Sequence, residues 1–302
     1  MLNVTLLGCG GMMPLPERYL TSLLVRCAGH SLLIDCGEGT QVALRSAGLG
    51  FKAIDTICLT HFHADHIAGL PGLLLTIGNS GRTEPLRIIG PEHVGEVVKI
   101  LRFLAPVLPF DVFCEEIKPK GRQFAWWDCT LTAFPAEHKV PCFGYTLDLP
   151  RAGKFDPEKA RAAEIPVQYW KVLQKGESVR VGKRVFEPSD VLGEARKGLK
   201  LAYCTDTRPL LSIAEKIFGA DLAILEGMYG DPEKDGDAHE KEHMTMREAA
   251  ELARAGFVKS LWLTHYSPSL EDPNEYTDTI REIFPETQMG GNGTNVELMF
   301  EE

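Results

Sequence analysis

The chain has little that would carry it into a membrane or an oxidising compartment. No apolar run approaches the roughly 18–20 residues that a membrane-spanning helix needs. The opening Met-Leu-Asn-Val-Thr-Leu-Leu-Gly has no basic residues ahead of its apolar ones, so no secretory leader is expected and the expected location is cytoplasmic. No two of the eight cysteines form a Cys-x-x-Cys pair. Cys9, Cys27, Cys36, Cys58, Cys114, Cys129, Cys142 and Cys204 lie mostly in apolar, strand-like stretches and read as small core residues rather than a disulfide framework. Positive charge is also scarce: 32 Lys and Arg stand against 42 Asp and Glu, a formal net charge of −10. That balance argues against coating DNA or a membrane surface by bulk charge, so an anionic substrate must be met locally.

What is present is ordinary globular material. The 302 residues are 44% hydrophobic and 25% charged, enough for one large domain or two small ones. Short β-rich runs alternate with helical stretches in the first third (strands at 4–7, 22–27, 31–36, 53–59 and 86–89; helices at 39–47, 67–77 and 92–104). Strands follow at 112–117, 129–134 and 143–149. The last third alternates again, with strands at 199–204, 222–225, 261–264 and 296–300 and helices at 211–218, 245–255 and 275–284. The two ends echo each other: Thr-Ile-Cys-Leu-Thr-His61 matches Ser-Leu-Trp-Leu-Thr-His265. Two half-domains that each deliver a histidine from a strand end suit a site at the junction of two sheets. Between them, residues 151–200 hold 12 of the 32 basic residues and 7 acidic ones. This segment is +5 and the rest of the chain −15, so it reads either as a solvated excursion or as an anion-binding arm.

The strongest signal is His61-Phe-His63-Ala-Asp65-His66, four potential metal ligands within six residues directly after an apolar strand. A strand or a helix would scatter them; a turn can converge them. Imidazoles mixed with a carboxylate suit zinc or manganese in a hydrolytic site better than an all-thiolate structural site would. His30, His93 and His239 stand alone and read as ordinary hydrogen-bonding residues.

The His-x-His-x-Asp-His motif after a hydrophobic strand resembles the metallo-β-lactamase superfamily, and the resemblance spans nearly the whole chain. It implies an α/β fold, an αββα sandwich of two related halves forming a single domain over 1–302, with the basic segment 151–200 as an inserted arm. It also implies two divalent ions, zinc or alternatively manganese. His61, His63 and His138 would hold one, Asp65, His66 and His265 the second, and Asp206 would bridge, while Asp35 would support the histidine loop from behind. Two ions so placed clamp the attacking and leaving oxygens of an ester displacement, a chemistry suited to phosphodiesters.

Within the superfamily, Asp35-Cys-Gly-Glu-Gly-Thr-Gln, Gly69-Leu-Pro-Gly-Leu-Leu, His138-Lys-Val-Pro-Cys-Phe-Gly-Tyr and Cys204-Thr-Asp-Thr-Arg-Pro resemble the ribonuclease Z family. Members of that family are endoribonucleases that trim the 3′ trailer of precursor tRNA. The resemblance implies a structured RNA partner, an RNA-binding role for the arm, and a homodimer. It also implies catalytic roles for Asp65 and for a proton-donating pair, Glu226 and His243, with Thr245-Met-Arg-Glu248 as a helix-capping box beside it. The chain departs from the family where Pro-x-Lys-x-Arg-Asn becomes Pro14-Leu-Pro16-Glu-Arg18-Tyr19, and where Leu225 and the arm differ. These changes touch substrate handling rather than the metal ligands. They leave open a small phosphodiester or cyclic nucleotide as substrate. A lactonase or thioesterase shares the ligand set, but an acyl substrate would need neither the basic arm nor the Glu226–His243 pair.

Overall fold

The computed structural model describes residues 1–301. The chain forms two compact units, Met1–Leu147 with Lys200–Met299, and Asp148–Leu199 with Phe300 and Glu301. Its strands in chain order are β1 (Leu2–Gly8), β2 (Ser22–Cys27), β3 (His30–Ile34), β4 (Ile54–Cys58), β5 (Leu86–Gly90) and β6 (Val112–Glu116). Next come β7 (Arg122–Trp126), β8 (Cys129–Ala136), β9 (Cys142–Arg151), β10 (Val179–Val181), β11 (Arg184–Phe186) and β12 (Arg196–Cys204). Then follow β13 (Leu222–Glu226), β14 (Leu261–Thr264), β15 (Thr287–Met289) and β16 (Asn295–Leu298).

Two seven-stranded sheets organise the first unit, with orders β16-β1-β2-β3-β4-β5-β6 and β15-β14-β13-β12-β9-β8-β7. Each contains a parallel run, β3 to β6 in one and β12 to β15 in the other. Parallel strands are buried on both faces, which is why Leu32, Leu33, Ile34, Ile57 and Cys58 form continuous apolar runs rather than alternating ones. One set of side chains, including Leu24, Leu33, Ile57 and Ile88, packs under the helices Thr40–Ser46, Leu70–Asn79 and Val94–Leu101 through Leu44, Leu73, Leu74 and Val98. The neighbouring residues Leu23, Val25, Leu32, Ile34 and Ile89 are buried on the opposite face. Helix Met246–Ala255 lies on β13 and β14, with helices Leu211–Ile217 and Thr277–Ile283 beside it. The layers are therefore helix, sheet, sheet, helix. All eight cysteines are free, and seven are buried.

The expected helix over 67–77 divides into Ala64–Ile67 and Leu70–Asn79. The break is set at Gly69, whose amide donates to Cys36 O at 2.9 Å and where a Cβ would lie 2.2 Å from Gly37 O. The chain must turn there to bring the histidine loop under Asp35. Strand β7 and helix Asp235–Lys241 were not foreseen. The first is a five-residue outer strand of its sheet, whose buried Phe124 and Trp126 make an alternation too short to stand out, and the second is polar except for the buried Ala238.

The second unit has its own small core of Ala160, Ile165, Leu173, Val179, Phe186 and Val191. Asp156 caps helix Pro157–Ala162 by accepting from the Glu158 and Lys159 amides at 2.9 and 3.1 Å, and β10 and β11 form a hairpin. Lys154, Lys159, Lys171 and Lys175 are exposed.

Candidate metal centre

The candidate residues follow strand ends. Asp35 follows β3, His61 to His66 follow β4, His138 follows β8, Asp206 follows β12, Glu226 ends β13 and His265 follows β14. A crevice beyond the carboxyl ends of parallel strands is where α/β sheets place their ligands. Three of these residues, Asp35, Asp206 and His265, have left-handed backbones with φ of 60°, 55° and 57°. Such conformations are uncommon for non-glycine residues and persist only where the surroundings enforce them, typically at functional sites.

All seven expected ligands converge. His63 Nδ1 lies 3.0 Å from His61 Nε2 and 3.3 Å from His138 Nε2. On the other side, His66 Nε2 and His265 Nε2 are 3.2 Å apart, with Asp65 Oδ2 at 3.7 and 3.5 Å from them. Asp206 stands between these groups and divides its oxygens. Oδ1 is 3.9 Å from both His61 Nε2 and His138 Nε2, whereas Oδ2 is 3.2 Å from His66 Nε2 and 3.4 Å from His265 Nε2. One carboxylate oxygen thus serves each triad.

The donor chemistry fits divalent cations. His61, His66, Asp206 and His265 are almost wholly buried. Among the described residues, Asp206 Oδ2 and His265 Nδ1 have no aligned hydrogen-bond partner. Buried polar atoms normally find partners, and nitrogen and carboxylate donors crowded at 3–4 Å are what a cation draws together. The triads His61–His63–His138 and Asp65–His66–His265 can each hold a metal ion, and so can His61–His66–Asp206.

Electrostatics agrees with the geometry. Burial would raise the Asp206 pKa, but the facing imidazoles of His265, His66 and His61 hold it well below the usual carboxylate range. Asp65 is lowered too, burial being outweighed by its hydrogen bond to His265 and the charges of His66 and His265. Burial lowers His61, with His66 adding to the effect, and burial also lowers His138. His66 is raised despite burial because Asp206 and Asp35 flank it.

Supporting contacts fix the rings. Asp35 Oδ2 accepts from His66 Nδ1 at 2.8 Å, turning Nε2 toward the centre, and Asp35 Oδ1 accepts from the Thr60 amide at 2.8 Å. The Thr60 hydroxyl lies 2.9 Å from Asp35 Oδ2, 3.0 Å from His61 Nδ1 and 3.2 Å from His66 Nδ1. The carbonyl of Glu242 is 3.3 Å from His138 Nδ1, and the Met12 amide donates to Asp65 Oδ2 at 2.7 Å. Partners of this kind orient metal-binding imidazoles and set their basicity. Thr60, Glu242 and Met12 escaped the sequence reading. Only Thr60 left a signal there, as the Thr of the repeated Thr-His.

Beside the centre, Glu226 Oε2 accepts from His243 Nδ1 at 2.8 Å while Oε1 accepts from the Thr207 amide at 2.6 Å. Burial would lower the His243 pKa, but the charge and hydrogen bond of Glu226, with Asp206 and Asp65, raise it to about 9. The shift favours the protonated imidazole, whose Nδ1 is committed to Glu226. Arg208 holds this arrangement by donating to the His243 carbonyl and to Glu248, and Thr245 and Glu248 form the expected capping box. His30 and His93 instead pair with Asp55 and Glu96, at 2.9 and 2.8 Å, and His239 is exposed.

Comparison with known proteins follows the same lines. The family model described as anti-Pycsar protein Apyc1 matches residues 2–148, just under half of the chain. Two curated proteins named ribonuclease Z are each 51% identical to it. The one from Agathobacter rectalis aligns over 302 residues, 100% of both chains. The one from Lachnoclostridium phytofermentans aligns over 301 residues, 100% of this chain and 99% of the other. Human tRNase Z, short form, shares the fold with a TM-score of 0.71 at 24% identity, covering 99% of this chain and 100% of that one. The metallo-beta-lactamase fold protein YhfI from Bacillus subtilis does so with a TM-score of 0.70 at 20% identity, covering 98% and 100%. With half of its residues shared along its full length with proteins of that name, and with the metallo-β-lactamase fold beneath them, the chain belongs to the ribonuclease Z family.

Proposed function

We propose that this protein is a dinuclear metal-dependent endoribonuclease that removes the 3′ trailer of precursor tRNA. The observation that carries the mechanism is the division of Asp206, one oxygen toward His61 and His138 and the other toward His66 and His265. His61, His63 and His138 would hold one ion, Asp65, His66 and His265 the other, and Asp206 would bridge. The imidazole-rich set suits zinc, with manganese the alternative. When bound, such ions supply Lewis acidity at the phosphate and a nucleophile at neutral pH.

The chain's own groups do the rest. Asp65, fixed by the Met12 amide, keeps its charge through the neutral range. His243, held by Glu226, points a protonated Nε2 at the departing ribose oxygen and acts as general acid. The arm at 151–200 would take the body of the RNA. Its exposed Lys154, Lys159, Lys171 and Lys175 neutralise phosphates, while the acidic remainder of the chain repels unspecific RNA.

A homodimer is part of the same reading. Ile100, Phe103, Leu104 and Val107 are 73%, 86%, 69% and 83% exposed, an apolar stretch that an isolated surface rarely carries. Light scattering should give twice the chain mass, and Phe103→Asp should halve it. Among the described residues no helix is long and apolar enough to cross a membrane.

The direct test incubates metal-loaded protein with a transcribed precursor tRNA, a cyclic nucleotide and a lactone panel. A single cut at the trailer junction is expected. Turnover of the cyclic nucleotide with every precursor left intact would assign the site to small phosphodiesters. Turnover confined to lactones would assign it to acyl chemistry.

A further inference from the structure

The departure at Pro14-Leu-Pro16-Glu-Arg18-Tyr19 suggests that Arg18 is the remnant of an RNA contact. Its surroundings point elsewhere. The guanidinium faces the loop that follows His265: Nη1 donates to Ser267 O at 3.2 Å and Leu270 O at 3.0 Å, and Nη2 donates to Glu271 O at 3.0 Å. Cζ lies 5.6 Å from the centre of the Tyr266 ring. Two of its three nitrogens are thus committed to three backbone carbonyls, a spacing that a planar fork holds and that an ammonium, with its three donors on one atom, does not reproduce.

The two loops tied together by Arg18 run side by side into the metal centre. Gly11 N donates to Tyr266 O at 3.0 Å, and Tyr266 N donates to Cys9 O at 2.9 Å. At Gly11 a Cβ would lie 2.7 Å from His265 Cε1, so the strand of backbone is pressed against that imidazole. One residue on, Met12 adopts a left-handed φ of 67° and delivers its amide to Asp65 Oδ2 at 2.7 Å. The same short loop therefore touches two members of one ligand triad.

We propose that Arg18 is a positioning residue. It clamps residues 266–271 to residues 9–20 and so fixes the Met12 amide on Asp65 and the backbone around His265. The proposal rests on the reading of Asp65 and His265 as metal ligands. It assigns Arg18 to the Asp65–His66–His265 triad and not to the RNA.

The test compares Arg18→Ala and Arg18→Lys with the wild type. In metal-free protein, hydrogen exchange should rise at least tenfold in peptides covering 9–13 and 266–270, with the remaining peptides unchanged. In a chelator competition, one of the two metal equivalents should weaken 10- to 100-fold, the range for loss of a supporting contact, while the other holds. For RNA, kcat should fall, and KM and the slope of log K against log salt should stay put. Arg18→Lys should restore none of these, because the charge alone spans too few carbonyls. Unchanged exchange at 9–13 overturns the proposal, as does full rescue by lysine. A salt slope reduced by about one unit with metal affinity intact would make Arg18 a phosphate contact instead. If Arg18→Ala does not fold, Arg18→Lys gives the same readings. A wild-type protein that takes up fewer than two ions would refute the dinuclear reading, while exchange in the metal-free protein still decides on Arg18.

Discussion

Glu226→Gln isolates the acid step. In the wild type, Glu226 is wholly buried; one oxygen accepts the Thr207 amide at 2.6 Å and the other accepts His243 Nδ1 at 2.8 Å. A glutamine has the same shape and can keep the Thr207 bond through its carbonyl, but its other end becomes an NH₂ donor. His243 must then accept through Nδ1, so the imidazole is neutral. Burial alone would lower the His243 pKa, and the Glu226 charge is the largest cause that raises it to about 9 from an ordinary 6.5. A return to the ordinary value is a fall of about 2.5 pK units, or about 3 kcal/mol of preference for the cation at 1.36 kcal/mol per unit. At pH 7.5 the acid is almost fully protonated in the wild type and at most about a tenth protonated in the variant. Because the group works in its protonated form, activity is lost as pH rises, and the alkaline limb of kcat on RNA should move to lower pH by about two units. The misaligned donor adds to the loss, for a total on the order of 10²–10⁴ in kcat, the span of general acid catalysis. The assay is single-turnover cleavage of precursor tRNA beside hydrolysis of bis-p-nitrophenyl phosphate. A p-nitrophenolate leaves without a proton, so the second substrate should lose only severalfold. Equal losses on both substrates, or an unmoved alkaline limb, would remove His243 from the acid role.

Three other perturbations probe the remaining parts. His66→Ala should abolish hydrolysis and lower the bound metal below two equivalents by elemental analysis, while circular dichroism stays native because the ligand turn hangs from strands with their own apolar core; retained activity would disprove the ligand role. Thr60→Val deletes the hydroxyl that touches Asp35, His61 and His66, and should cost about 1–3 kcal/mol in urea unfolding together with 10- to 100-fold in metal affinity; a neutral result on both would show that the Thr60 amide alone suffices. Replacing Lys154, Lys159, Lys171 and Lys175 by alanine should raise KM for precursor tRNA and reduce the salt slope of binding by about 0.7–0.9 per lost contact, with bis-p-nitrophenyl phosphate turnover unchanged; an unaltered slope would mean that the arm does not carry the RNA.

The sequence by itself determined the layered α/β character, because apolar runs of strand length alternate with 3.6-period stretches. It also presented His61, His63, Asp65 and His66 as a cluster of four potential ligands after an apolar strand, to which the family resemblance added His138, Asp206 and His265. Even the Thr-His echo survives as structure, with Thr60-His61 just past β4 and Thr264-His265 at the end of β14, in the two separate sheets. Tertiary structure alone decided which oxygen of Asp206 faces which triad, since that depends on a left-handed backbone at the end of β12 and on strands more than a hundred residues apart in the chain. It alone decided that Arg18 spends its donors on backbone carbonyls of the His265 loop, a contact with no local pattern because its partners are carbonyls, which every residue has. The supporting amides and carbonyls of Met12, Thr207 and Glu242 escaped for the same reason. A side chain announces its chemistry in the sequence, whereas a backbone dipole acquires a role only when the fold points it at something.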